Sequence, residues 1–393
     1  MTLSVKNGIS NHPQRKGGFT LIEVMVAMAI GLFGVMVMTQ VYISSEQNKS
    51  TSTSSGDAMI EGIVAMNLLQ RDLRMGGFGI ADGMLLGCNI LLRPGITLVA
   101  MAPVTINHPK IPAGDANTDT IVVFYASTNG TPQGDVVTTQ SNADQYSMRT
   151  ISSFAPNDYV VVAPQVRNCP MVNVPPALPV TQALRLTRVD SIANPTVTIT
   201  ANTGVVLPIS VLPSSVALNP SLPLDSTVVR EPVPAPASHM IFNLGPALPT
   251  VVAYAVRNGN LTSCDYAVND CSLAANVANT AVWVPVANNI VSLRAQYGHY
   301  AAAATATTVT GYDQTTPLTA CQWLRTPSVR IALVARGAQP TVGATSAAPT
   351  WDGTTNAPIN LTGLTDWTKY RYKVFQAAVS IRNIAWMGAV PGC

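Results

Sequence analysis

Residues 15–43 read RKGGFTLIEVMVAMAIGLFGVMVMTQVYI, and the rest of the chain is interpreted from this stretch. Val24 to Ile43 is an apolar run of about 20 residues, which at ~1.5 Å per residue spans roughly one bilayer core. Lys6, Arg15 and Lys16 precede it with no acid among them. That places the N-terminus on the cytoplasmic side and the C-terminal body across the membrane. A secretory signal peptide is cut after its apolar region at small residues, and no convincing site of that kind follows Ile43. A plain single-span anchor explains the length and the flanking charges but leaves Glu23 unexplained. A carboxylate within a membrane helix costs ~2.5–3.5 kcal/mol on insertion scales, so Glu23 is read as functional.

Lys16-Gly17-Gly18-Phe19-Thr20-Leu21-Ile22-Glu23-Val24 resembles the processing site of type IV prepilins and of type II secretion pseudopilins. The resemblance implies cleavage after Gly18 by a membrane-embedded prepilin peptidase. It also implies N-methylation of Phe19 by the same enzyme, with the apolar segment retained. Residues 1–18 are then the leader and residues 19–43 the transmembrane and filament-core helix. The chemistry is consistent with this. Gly18 lets a protease approach the backbone closely. Cleavage creates an ammonium at Phe19 in the same membrane layer as Glu23, and opposite charges that are costly apart there offset each other when paired. In the pilin family the Glu of an incoming subunit is thought to meet a neighbour's N-terminus, so Phe19 and Glu23 are the expected assembly residues. Ala27, Gly31 and Gly34 recur at i, i+4, i+7. They are either a strip for close helix packing or small residues tolerated in a span.

Residues 44–77 read as an amphipathic continuation of the helix, weakened at the Ser/Thr-rich stretch 44–57. Met59, Ile63, Met66, Leu69 and Leu73 fall on one helical face, and Gly76-Gly77 can end the helix. The segment Leu69 to Phe78, with Gly87-Cys88 shortly after, resembles the PilW family of minor pilins, which is similar to the J-type pseudopilin. Gly77-x-Gly79 is no dinucleotide site, since no strand precedes it and no third glycine completes it.

Residues 78–393 read as a β-rich globular domain. Runs such as Thr120–Ala126, Tyr159–Ala163, Leu184–Val189 and Thr196–Thr200 are short and β-branched. Val251–Arg257 leads into Asn258-Gly259, a hairpin turn. Val291–Tyr297 and Val329–Leu333 alternate apolar with polar. In Tyr370–Asn383, which resembles the C-terminal strand of the PilW family, the apolar phase shifts after Val374, and a β-bulge there is expected to restore one buried face. The Pro-rich stretch 208–249 reads as loop or edge, and 301–310 and 340–358 as surface loops. The fold class is α+β: a long N-terminal pilin helix, membrane half plus amphipathic half, packed on a large β-rich domain.

Charged residues make up only 10% of the chain and hydrophobic ones 47%, too apolar for a disordered chain. The net charge of +3 comes from the leader; without residues 1–18 the chain has 19 basic and 19 acidic residues. A basic footprint is missing, so no nucleic acid is expected as partner. Cys88, Cys169, Cys264, Cys271, Cys321 and Cys393 all follow the span. They read as disulfides of an oxidising compartment or as buried thiols, and by sequence proximity the pairs are Cys88–Cys169, Cys264–Cys271 and Cys321–Cys393. No catalytic, metal or cofactor site is expected. His12, His108, His239 and His299 are isolated, and Asp115, Asn117 and Asp119 lack the glycine and closing glutamate of a calcium loop. The resemblance implies a minor type IV pilin that helps initiate pilus assembly at or near the tip. Its implied partners are the prepilin peptidase, other minor pilins, the major pilin, a tip adhesin and the inner-membrane assembly platform. The alternatives are a J-like secretion pseudopilin and a ligand-binding or DNA-uptake pilin.

Overall fold

The computed structural model describes residues 18–93, 95–128, 134–142, 145–148, 154–164, 184–193, 196–200, 206–210, 214–218, 239–301, 307–341 and 345–386. With no proline between Phe19 and Gly77, α1 runs unbroken over Leu21–Met75. The Ser/Thr-rich stretch does not interrupt it, because each such residue costs at most ~0.7 kcal/mol relative to Ala in a helix interior.

The chain divides into two compact units, Met1–Thr53 and Ser54–Cys393. In the first, the apolar side chains from Phe19 to Ile43 are exposed all round the helix. The Thr39 hydroxyl donates to the Val35 carbonyl at 2.7 Å, satisfying a polar group within the apolar stretch.

The second unit holds the last turns of α1 and, among the described residues, nineteen strands. The first six are β1 (Ile90–Arg93), β2 (Ile96–Leu98), β3 (Val104–Ile106), β4 (Ile121–Tyr125), β5 (Asp135–Asn142) and β6 (Gln145–Met148). Then come β7 (Tyr159–Pro164), β8 (Leu184–Ala193), β9 (Thr196–Thr200), β10 (Val206–Ser210), β11 (Ser214–Leu218) and β12 (His239–Gly245). The chain continues through β13 (Thr250–Arg257), β14 (Asn260–Asp265), β15 (Val284–Ala287), β16 (Ile290–Tyr300) and β17 (Val309–Asp313). A short helix, α2 (Ala320–Leu324), leads to β18 (Ser328–Arg336) and β19 (Tyr372–Ser380), and α3 (Arg382–Ala385) follows. One sheet has the order β11-β6-β5-β12-β7-β8-β1-β2, and β9 pairs with β10. A five-stranded sheet runs β15-β14-β13-β4-β3, and a four-stranded sheet β17-β16-β18-β19. The fold is thus α+β. Asn258 and Gly259 take φ of 51° and 70°, the two left-handed residues that a tight turn between β13 and β14 requires.

Ser54, Ala58, Gly62, Ala65, Met66, Leu69 and Leu73 form the buried stripe of α1. It packs on Val104, Ile121 and Tyr254 of the five-stranded sheet and on Leu293, Ile331, Leu333 and Val379 of the four-stranded sheet. The expected face is therefore rotated. Met66, Leu69 and Leu73 are buried, but Met59 and Ile63 are 46% and 45% exposed. Small residues decide the contact: a Cβ on Gly62 would lie 2.0 Å from the Phe375 ring, so the backbone itself approaches β19.

Three further expectations are corrected. The Pro-rich stretch contributes β10, β11 and β12, with 219–238 outside the described residues. In the Ala/Thr-rich segments, Val309–Asp313 is a strand, and Trp351 and Ala357 are buried against Ala332, Val334, Ile359 and Leu361. That cluster covers the second face of the four-stranded sheet and explains the phase shift in β19. The pairing of β19 with β18 runs unshifted from Arg336↔Tyr372 to Ser328↔Ser380, so there is no bulge. Instead both faces are covered: Tyr372 and Val374 meet the Trp351 cluster, while Phe375, Ala377 and Val379 meet the core under α1.

Candidate processing and assembly site

Gly18, Phe19 and Thr20 precede the helix, which begins at Leu21. Phe19 is 86% exposed. The Glu23 carboxylate accepts from the Thr20 amide and the Thr20 hydroxyl, each at 3.1 Å. The Glu23 amide in turn donates to the Thr20 hydroxyl at 3.3 Å. This is a reciprocal capping box, Thr-x-x-Glu, which satisfies otherwise orphaned amide donors at the helix start. The spacing Thr20-Leu21-Ile22-Glu23 carried that signal, and the reading above missed it. Glu23 therefore has a partner within its own chain as well as the inter-subunit role the resemblance implies.

Ala27, Gly31 and Gly34 lie within about 60° of one another around the helix at ~100° per residue. A Cβ on Gly31 or Gly34 would meet nothing within 4 Å. The strip is unoccupied by anything in its own chain among the described residues.

At its other end α1 is fastened to the body. Asp72, buried in the stripe, accepts from the Tyr254 hydroxyl at 2.5 Å and from Arg71 Nε at 3.0 Å. Burial, then the bond to Asp72, pushes the Tyr254 hydroxyl well above the usual phenol range, so it stays a donor. Asn383 Nδ2 donates to the carbonyls of Met75 and Gly76 at 3.2 and 3.0 Å. These carbonyls lie at the helix end, where intrahelical partners run out. Gly77, at φ +81°, turns the chain away and donates to the Phe124 carbonyl at 2.8 Å. Tyr254→Phe is expected to cost about 1.5–3 kcal/mol, because it removes a bond to a charged group and leaves a buried carboxylate short of a partner. Chemical denaturation of the two proteins measures this, and an unchanged midpoint contradicts it.

Cys264 and Cys271 are joined, with their Cα atoms 6.0 Å apart. Cys88 and Cys321 each take part in a disulfide as well. Cys169 and Cys393 lie outside the described residues, and so do the expected pairings with them. The oxygens of the Asp115–Asp119 turn are taken by the protein. The Asp115 carboxylate accepts from the amides of Asn258 and Gly259 at 3.0 and 2.8 Å. The Asp119 carboxylate accepts from Arg294 Nη1 at 3.1 Å and the Ala295 amide at 2.9 Å. Burial pushes His108 down to about 4, so it is neutral at physiological pH, and its Nε2 lies 2.8 Å from the Val99 carbonyl. Among the described residues no group of three His, Cys, Asp or Glu side chains is placed to hold a metal ion.

Residues 13–39 match the prokaryotic N-terminal methylation motif. Residues 254–383 match the type IV pilus-assembly protein W family, PilW. The second match spans from Tyr254, which holds Asp72, to Asn383, which caps the helix. It includes Tyr370–Asn383, which carried a resemblance above, and it does not include Leu69 to Phe78 and Gly87-Cys88, which carried the other. No curated protein and no solved structure matches the chain.

Proposed function

With a prepilin-type N-terminus and a PilW-type C-terminal region on one chain, we propose that this protein is a minor type IV pilin that helps initiate pilus assembly at or near the tip. The co-occurrence of the two matches carries the reading. The structure supports it with an apolar helix long enough to cross a membrane and with an open small-residue strip on that helix. The bulk of the body supports the tip position. The described strands of this body form several sheets, and sheets lying side by side need more room than the ~10 Å at which helices pack, so a fibre end accommodates them best. Prepilin peptidase would cut after Gly18 and methylate Phe19. Before assembly the body would lie in the periplasm, anchored in the inner membrane; after assembly it would reach the cell surface. Its partners would be the assembly platform, the major pilin, other minor pilins and a tip adhesin. The role is structural, with no catalytic step.

The methylation motif also fits secretion pseudopilins, so deletion of the gene is the deciding experiment. Lost surface fibres and twitching with normal protein secretion is the expected outcome. Intact fibres with blocked secretion would replace this reading with the J-like pseudopilin.

A further inference from the structure

β19 ends its sheet, and its outer edge is unpaired among the described residues. Gly337 N donates to Arg371 O at 2.9 Å and Ile381 N to Pro327 O at 2.8 Å. With the unshifted register to β18, these bonds fix which backbone groups are taken. Those of Lys373, Phe375, Ala377 and Val379 face β18. Those of Tyr372, Val374, Gln376, Ala378 and Ser380 face outward, and among the described residues no backbone group bonds to them. Proteins commonly blunt such edges by keeping them short. The other edges among the described residues obey: β2 and β3 have three residues each, β15 four, and β9, β10 and β17 five. β19 has nine.

The surroundings of this edge have a definite chemistry. A cleft of about 430 Å³ lies beside it, lined by Ser55 and Ala58 of α1, Ser346, Pro349, Arg371 and Lys373. Among the described residues neither Arg371 nor Lys373 has an acidic partner. Ser55 and Gly62 lie on the flank of α1 nearest β19. At ~100° per residue, Met59 and Ile63 continue that flank outward. They form an exposed apolar shelf beside the strand.

We propose that the outer edge of β19 binds an extended segment of another filament subunit as an added strand. Its backbone completes the ladder, its apolar side chains cover Met59 and Ile63, and a carboxylate pairs with Arg371 and Lys373. Main-chain bonds supply affinity in such strand addition, and the flanking side chains supply specificity. The charge argument selects an acidic segment: two cations without partners at one end of an open edge repel a basic one. The identity of the partner as a filament subunit rests on the function proposed above; the edge chemistry does not.

The test uses the full chain in fibre-assembling cells, with a photo-crosslinking amino acid placed at Ser380 or at Ile63, both exposed. A probe at exposed Asp57, about 120° round the helix from Ile63, is the control. Both edge probes are expected to cross-link one acidic, extended segment of a different prepilin-type subunit. Ala378→Pro removes an outward amide and leaves the ladder to β18 whole; its adduct yield is expected to fall about tenfold, the equivalent of ~1.4 kcal/mol of pairing. Lys373→Glu, a surface change that spares folding, is expected to lower the yield as well. Adducts to a second copy of this chain, or to its own residues, would overturn the proposal. So would yields no higher than at Asp57, or yields unmoved by both substitutions. Fibre loss on deletion without an edge adduct refutes this site alone. An adduct to a secretion subunit refutes the pilus reading and leaves the edge standing.

Discussion

Glu23→Ala is expected to leave cleavage after Gly18 and membrane insertion intact while removing most incorporation into the assembled complex. The carboxylate has two candidate duties, one local and one between subunits. Locally it closes the capping box with Thr20, and a lost cap costs about 0.5–2 kcal/mol. Between subunits it would meet the ammonium at a neighbour's Phe19. At an effective dielectric constant of about 20, a pair ~4 Å apart is worth about 4 kcal/mol, enough to lower co-assembly by at least a hundredfold. Glu23→Gln tells the two apart, since glutamine serves a capping box as well as glutamate does but carries no charge. Quantitative proteomics of sheared fibres measures both variants against the intact chain. Equal loss in the two assigns the effect to charge. Normal incorporation of Glu23→Gln would reduce Glu23 to a helix cap and refute the inter-subunit pairing.

The parts of this protein legible in the sequence were those fixed by local chemistry. Gly18, Phe19 and Glu23 sit in a motif that any reader meets in order along the chain, and Asn258-Gly259 marks its turn by backbone requirement alone. Cys264 and Cys271 are close enough in sequence for proximity to pair them. The parts misread were decided by packing between distant segments. The shift of phase in β19 looked like a bulge because one buried face was assumed. The second face is covered by Trp351, Ala357, Ile359 and Leu361, from a stretch whose alanines and threonines suggested an exposed loop. The Thr20–Glu23 cap was local and was overlooked because a stronger reading of Glu23 stood in front of it.

The same limit governs the amphipathic half of α1, and it yields the sharpest stability contrast. Met59, Ile60, Ile63, Val64, Met66, Leu69 and Leu73 cover too much of the helix for spacing to choose one face. The choice is made by Ser54, Ala58 and Gly62, whose small size lets the backbone settle on the sheets. Leu69 then sits fully buried between them, in the core shared with Val123, Leu293 and Ile331. Leu69→Ala is expected to cost about 3–5 kcal/mol: the lost transfer energy of the side chain plus the cavity left between a helix and two sheets that cannot close on it. Met59→Ala and Ile63→Ala remove comparable side chains one stripe away and are expected to stay within about 0.5 kcal/mol, as exposed substitutions do. Denaturant unfolding of the three variants measures the contrast. Equal costs at positions 63 and 69 would mean that the helix packs on the face its spacing suggested. A large cost at 69 alone leaves the Met59–Ile63 shelf free of any duty in folding, so that an assembly defect in Met59→Ala or Ile63→Ala would report the loss of a partner and not of the fold.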